Sequence, residues 1–514
     1  MALTKAHTRM LNTYNGIGTT TRNTSYNTTS LSANTTGLDN TAYGDATLAS
    51  NTTGINNTAV GANALTYNTT GTSNTAIGED SLAQNISGVN NTAVGVNSMQ
   101  ENTTGVNNTA MGDRANIYNK IGGNNTAFGK GALLGIEGVT NTVENAAFGS
   151  GASQNMTTGI QNTAIGTYAL LNNTTGIKNV AVGFRSMYTN TTGERNTALG
   201  DRSLEASVTS SANTAIGDSA LRRSETGSTN TAVGSSTLSF LISGINNTAV
   251  GDSSQAATTA NENTSVGSIS MTSNTTGAGN TAMGYRSLRS NLTGWQNTAI
   301  GVRAVSTSTA TNNLVGVGYK ALELATGNAN TGLGTQAGST ITTGTGNICV
   351  GSSAQTGSAT ATSRIVIGNS ISGTADNQCS IGKTGSITSN DFGTDAVWTN
   401  ASDIRRKNII GDSTLGLDFI NDLNTIRYTQ KPASEYPAEW GIDKDVEIDT
   451  KQVIHGMVAQ EVKAALDKAG VDDFAGWKED DTGMQKLGGA AFVFPLIRAV
   501  QELTKKVEEL EGKA

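Results

Sequence analysis

The chain has 514 residues yet only three prolines, two cysteines and two histidines, with aromatic and charged fractions of just 5% and 14%. Each scarcity excludes something. Two cysteines, Cys349 and Cys379, build neither a disulfide framework nor a zinc knuckle. Two histidines 448 positions apart, His7 and His455, give no His-based metal site within one chain, so no metal or cofactor is expected. A formal charge of −7 supplies no electrostatic reason to bind nucleic acid or an anionic membrane. No apolar stretch approaches the roughly 20 residues that span a bilayer, so no membrane insertion is expected. The opening MALTKAHTRMLN lacks an apolar core of signal-peptide length, and signal-dependent export is not expected.

What is present is unevenly distributed. All three prolines (Pro432, Pro437, Pro495) and 36 of the 73 charged residues lie beyond residue 397, in less than a quarter of the chain. The preceding part is rich in Asn, Thr, Gly, Ala and Ser. This change of composition places a boundary near residue 395. It divides the chain into a leader over 1–22, a repetitive shaft over 23–385, a linker over 386–397 and a mixed domain over 398–514.

The shaft is a repeat. The motif Asn-Thr-Ala-aliphatic-Gly closes at Gly44, Gly61, Gly78, Gly95, Gly112 and Gly129, a step of 17 each time. After a step of 20 to Gly149 it resumes, and with small slips it runs to Gly382, giving 21 copies. A fixed period this short reads as a solenoid with one supersecondary unit per turn. Two glycines per unit, as at Gly54 and Gly61, oppose helix. Two apolar positions recur, one before the closing glycine (Val60, Ile77, Val94) and one five residues later (Leu65, Leu82, Met99). Two short strands per coil are expected, with like residues stacked between coils and Asn and Thr forming hydrogen-bonded ladders. At about 4.8 Å per coil the shaft is a rod on the order of 100 Å. A thin coil has little core to set against about 1–2 kcal/mol of backbone entropy per residue. Three ribbons around a common axis would bury the remaining apolar row, so a homotrimer is expected.

This repeat resembles the head repeats of trimeric autotransporter adhesins, which form trimeric parallel β-rolls from typically shorter units. The resemblance implies a mainly β fold, a trimeric parallel β-solenoid or β-roll with coils of about 17 residues. The frequent Asn-x-Thr triplets follow from the repeat and are not read as glycosylation sites. Gly382-Lys383-Thr384 is not read as a phosphate loop, because Asn377 stands where its first glycine would be. Cys349 and Cys379 are expected in the stacked core. No recurrent pair of carboxylates suggests glycan cleavage in the shaft.

From Trp398 the composition becomes that of a small α/β domain. Its last helix carries Val493, Leu496, Val500, Leu503, Val507 and Leu510, alternating steps of three and four, so a coiled coil is expected over about 490–512. Three features occur in order: Ser402-Asp403 with Arg405 and Lys407, Gly456-x-x-Ala-Gln-Glu-Val462, and Pro495-Leu-Ile-x-Ala-x-Gln-Glu-Leu503. Together, over residues 397–514, they resemble the intramolecular chaperone domain of endosialidase-type phage tail spikes and fibres. The resemblance implies a domain that trimerises, nucleates folding of the fibre and then cuts itself off at or beside Ser402. It makes Ser402 the nucleophile and Lys407 the general base, with Asp403 and Arg405 as auxiliary residues. A serine hydroxyl needs a base to become nucleophilic, and a lysine serves only if its pKa is lowered. His455 is the alternative base.

The opening ALTKAHTRML resembles the start of phage tail-spike proteins, which implies docking on a virion tail or baseplate protein. The expectation is therefore a virion-borne phage tail fibre, made in the host cytoplasm. It would bind a host cell-surface receptor, a glycan or an outer-membrane component. A bacterial surface adhesin and a Thr-ladder ice-binding solenoid are the alternatives.

Overall fold

Strand alternation decides which side of the repeat faces inward. In Thr-Ala-aliphatic, the central alanine must point opposite to its two neighbours. A computed structural model describes residues 22–255, 259–391, 399–400, 404, 408–440, 444–445 and 447–513, and the chain divides into two compact units, Met1–Ala401 and Ser402–Ala514.

The first unit is a parallel β-solenoid. A typical coil contributes the three-residue strand Thr58–Val60, which pairs in parallel register with Thr75–Ile77 so that Thr58 meets Thr75, Ala59 meets Ala76 and Val60 meets Ile77. The same parallel pairing continues from coil to coil as far as the strand Gln378–Lys383, within a 24-stranded sheet. Ala59, Ala76 and Ala93 are fully buried, whereas Ile77, Met111, Phe128 and Ile165, in the position before the closing glycine, are 37–50% exposed. The aliphatic row thus points out of the single chain, and the alanine row points in.

Each coil has one strand, not the two expected. The second apolar segment is bonded between coils like a strand, Leu65 N–H donating to Ser81 O at 3.0 Å and Tyr67 N–H to Ala83 O at 3.0 Å. Its residues are not extended, because Asn63 and Leu65 lie in the left-handed region at φ of +57° and +54°. A leucine there costs on the order of 1–3 kcal/mol. Complete burial of the side chain contributes about 1.5–3 kcal/mol and offsets that strain. Leu65, Leu82, Met99, Leu133 and Leu170 are all fully buried against the alanine row.

Asparagine forms two ladders inside the coil. In the first, Asn74 main-chain N–H and Nδ2 both donate to Asn57 Oδ1 (3.0 and 3.1 Å), and Nδ2 also donates to Gly88 O at 2.8 Å. In the second, Asn51, Asn68, Asn85 and Asn102 each donate to the Oδ1 of the preceding coil at 2.7–2.8 Å. Each amide thereby satisfies buried backbone that one strand per coil leaves unpaired. The first ladder survives the long coil, where Asn145 N–H donates to Asn125 Oδ1 at 3.1 Å across 20 residues. The closing glycines are required sterically: at Gly95, with φ of +134°, a Cβ would lie 2.5 Å from Gly112 O.

The solenoid has a built end. Arg364 takes the ladder position after Asn347, its main-chain N–H donating to Asn347 Oδ1 at 3.0 Å, its Nε to Asp376 at 2.7 Å and its NH1 to Thr356 O at 2.6 Å. The strand Gln378–Lys383 then pairs in parallel with Ile365–Asn369 and antiparallel with Ser386–Asp391. The segment 386–397, expected as a linker, thus contributes a strand, which caps an otherwise open sheet edge. Cys349 is fully buried at an alanine position of the core, and Cys379 is buried beside the cap.

Candidate functional site

The second unit is built on a small apolar core. Leu415, Phe419, Val462, Ala465 and Leu466 are buried, and the rings of Phe419, Phe474 and Phe492 pack at centroid distances of 5.2–6.5 Å. The core joins helices α1 (Leu417–Asp422) and α2 (Ala459–Lys468), and Phe492 leads from it into α3 (Val493–Glu511).

Helix α3 is tied to α1 by one carboxylate. Glu502 Oε2 accepts the Leu417 main-chain N–H at 2.8 Å, and Glu502 Oε1 accepts from Arg498 Nε at 3.0 Å. The Leu417 N–H first, and the Arg498 guanidinium after it, hold the Glu502 carboxyl below its usual range. Lys468 at the end of α2 donates to Asp422 at 2.8 Å, which raises the Lys468 ammonium above its ordinary value. Glu502 is the acid of the Pro495–Leu503 motif, but its role was not readable there, since its partner lies 85 residues away and is a main-chain atom.

Among the described residues, most of α3 is left without cover. Among its residues only Pro495 and Ala499 are buried, while Val493, Phe494, Leu496, Ile497, Val500, Leu503, Val507 and Leu510 are exposed. Residues spaced by three and four along this helix therefore present one continuous apolar stripe, the kind of surface that a partner helix covers.

Ser402, Asp403, Arg405 and Lys407 lie outside the described residues. His455 lies in the strand Ile454–Gly456, opposite Arg427 of the antiparallel strand Ile426–Tyr428, and is exposed. The run Gly456–Val462 turns from that strand into α2. There Val462 enters the core, Glu461 sits in the first helical turn, where a negative charge is favourable, and Gln460 is exposed. Among the described residues no group of three or more His, Cys, Asp or Glu side chains is placed to hold a metal ion, and no helix is long and apolar enough to cross a membrane.

Residues 402–471 match the family described as chaperone of endosialidase. A search of curated proteins finds no match. A β-solenoid shaft followed by an endosialidase-type chaperone segment is the organisation of a tail-fibre-like trimeric protein with an intramolecular chaperone.

Proposed function

Taking residues 402–471 as an endosialidase-type chaperone segment, we propose that the chain is the subunit of a homotrimeric phage tail fibre that attaches the virion to its host. In this reading the carboxy-terminal unit trimerises through the α3 stripe as a coiled coil and starts shaft assembly. The observation that carries it is the position of the family match, which begins directly after the solenoid and its cap. Successive coils are nearly identical, so three chains aligned one coil out of step would lose little contact. A clamp at one end sets the register before the coils zip.

The clamp is then removed. The Ser402 hydroxyl attacks a main-chain carbonyl at or beside its own position, its proton passing to Lys407 Nζ, with Asp403 and Arg405 completing the site. Water opens the resulting ester, leaving a new carboxylate and a new amine and restoring the hydroxyl. This is a single turnover on the protein's own backbone. The shaft then persists kinetically, because the segment that nucleated it has left. The amino-terminal segment docks on the virion tail or baseplate, and the shaft meets a cell-surface receptor, a glycan or an outer-membrane component.

The test is the intact mass of the full chain beside Ser402→Ala, Lys407→Ala and His455→Ala. The expected result is a shaft plus a fragment of roughly 12 kDa for wild type and His455→Ala, with the other two whole. Cleavage that survives Lys407→Ala and stops in His455→Ala makes histidine the base. Wild type that stays whole under all folding conditions removes the self-processing step.

A further inference from the structure

The shaft carries an uneven surface that the folding and processing reading does not use. Residues 263–322 contain Arg286, Arg289, Arg303 and Lys320 and no acid at all, in a chain whose net charge is −7. Arg286, Arg303 and Lys320 stand at one repeat position, 17 residues apart, so they stack in three consecutive coils. In-register coils lie about 4.8 Å apart, and like charges directly opposite each other across a sheet are destabilising. Glu323 partly relieves this, at 2.8 Å from Arg303 and 3.5 Å from Lys320. Among the described residues Arg286 and Arg289 have no acidic partner.

Two tyrosines share this face. Arg286 lies over the Tyr285 ring at 5.0 Å and Lys320 over the Tyr319 ring at 5.5 Å, and the rings are 42% and 47% exposed. Arg289, three residues after Arg286, belongs to the same surface. In an earlier coil the equivalent pair is in contact, Arg185 lying over Tyr188 at 5.1 Å. Tyr285 and Tyr319 are two coils apart, which places their rings about 10 Å from each other, close to the span of two sugar units. Val302 stands between them at the intervening coil.

We propose that this face binds an acidic polysaccharide, its sugar rings stacking on Tyr285 and Tyr319 and its carboxylate or phosphate groups meeting Arg286, Arg289, Arg303 and Lys320. The proposal rests on the attachment reading above and names the ligand class and the surface. An anionic ligand relieves the repulsion among the stacked cations that Glu323 leaves uncompensated. The face does not suit packing against its own copies, since three-fold symmetry would bring like charges together. A long nucleic acid fits it poorly, because four cations give a short footprint.

The repeat supplies variants that fold. Asn63 and Asn97 occupy the Arg286 position of their coils with φ of +57°, and Val302 occupies the tyrosine position. The variants are therefore Arg286→Asn with Arg303→Asn and Lys320→Asn, and separately Tyr285→Val with Tyr319→Val. Full-length protein is passed over immobilised alginate (a polyuronate), glycerol-phosphate teichoic acid, neutral dextran and poly-dT. The expected result is binding to alginate or teichoic acid at least about tenfold tighter than to dextran or poly-dT, a factor of about 1.4 kcal/mol. Alginate or teichoic acid as the tighter ligand tells whether carboxylate or phosphate is read. Each variant set should lose at least about tenfold of that affinity with an unchanged melting curve. The proposal is overturned by equal binding to poly-dT, by no preference for an acidic polymer, or by loss in the charge variants without loss in the tyrosine variants. If wild type and variants adhere equally to bacterial cells, this surface is refuted and attachment stands. If wild type adheres to no cell in a panel of Gram-negative and Gram-positive bacteria, the attachment reading itself falls.

Discussion

Replacing Asn91 by alanine removes one rung of the buried ladder, and the structure gives the cost. Asn91 Nδ2 donates to Asn74 Oδ1 (3.2 Å) and Gly105 O (2.7 Å), and its Oδ1 accepts from Asn108 main-chain N–H (3.0 Å) and Nδ2 (3.2 Å). Two partners keep substitutes. Asn74 Oδ1 still accepts the main-chain N–H of residue 91 at 3.0 Å, and Asn108 Nδ2 still donates to Gly122 O at 2.9 Å. Two do not. The Asn108 N–H is orphaned, and Gly105 O keeps only a 3.4 Å contact from Asn102 Nδ2. A buried unsatisfied group costs about 1–3 kcal/mol, so the two together cost about 2–6 kcal/mol per chain. Because a solenoid's stability is a sum of neighbouring-coil terms, the loss stays local. At 1.4 kcal/mol per decade, opening of these coils rises at least about thirtyfold. Native-state hydrogen exchange read by mass spectrometry measures it at the Thr92 and Thr109 amides, whose own bonds to Asn108 O and Asn125 O remain. The control is Asn90→Gly, since Asn90 has φ of +58° and makes one exposed side-chain bond, 3.2 Å to Asn107. It should leave exchange nearly unchanged. Unchanged exchange at Thr92 and Thr109 in Asn91→Ala would refute the view that the ladder carries the shaft.

Gly95→Ala should break the stack, because its Cβ meets Gly112 O at 2.5 Å at a φ of +134°. The expected outcome is loss of protection in the coils on both sides of residue 95, and a stack protected as in wild type contradicts it. Burial pushes the Cys349 thiol up to about 12, and burial also raises Cys379. Neither thiol should react with iodoacetamide at pH 8 until the shaft end unfolds, so alkylation mass shifts should track unfolding. Glu502→Gln should weaken the α1–α3 contact at neutral pH. Glu502 has a depressed pKa, so its contribution is complete above the ordinary carboxylate value and is lost as pH falls through the lowered one. Exchange in α3 should therefore separate the variant from wild type at pH 7 and converge in acid, and a difference that persists in acid rules out the carboxylate as its source.

How much was legible follows from particular residues. The spacing from Gly44 to Gly129 alone called for stacked coils in parallel register, since only identical neighbours tolerate identical side chains at every level. The asparagines announced ladders by the same logic. The chaperone segment was legible through three ordered motifs, and residues 402–471 carry the family match. The Ser402–Lys407 pairing was read from the motif, and its geometry lies outside the described residues.

By itself the sequence determined period, register and the apolar stripe on the last helix, because each is a matter of spacing along one chain. Only the tertiary structure decided direction and long-range partnership. Ile77 and Leu65 look alike as apolar residues of one repeat. Yet strand alternation turns Ile77 outward, while a left-handed backbone at Leu65 turns its side chain into the core. The Arg364 end cap, the strand Ser386–Asp391 and the Glu502 clamp on Leu417 were equally hidden. Each joins groups whose meeting depends on how the chain returns on itself, and no local pattern encodes that return.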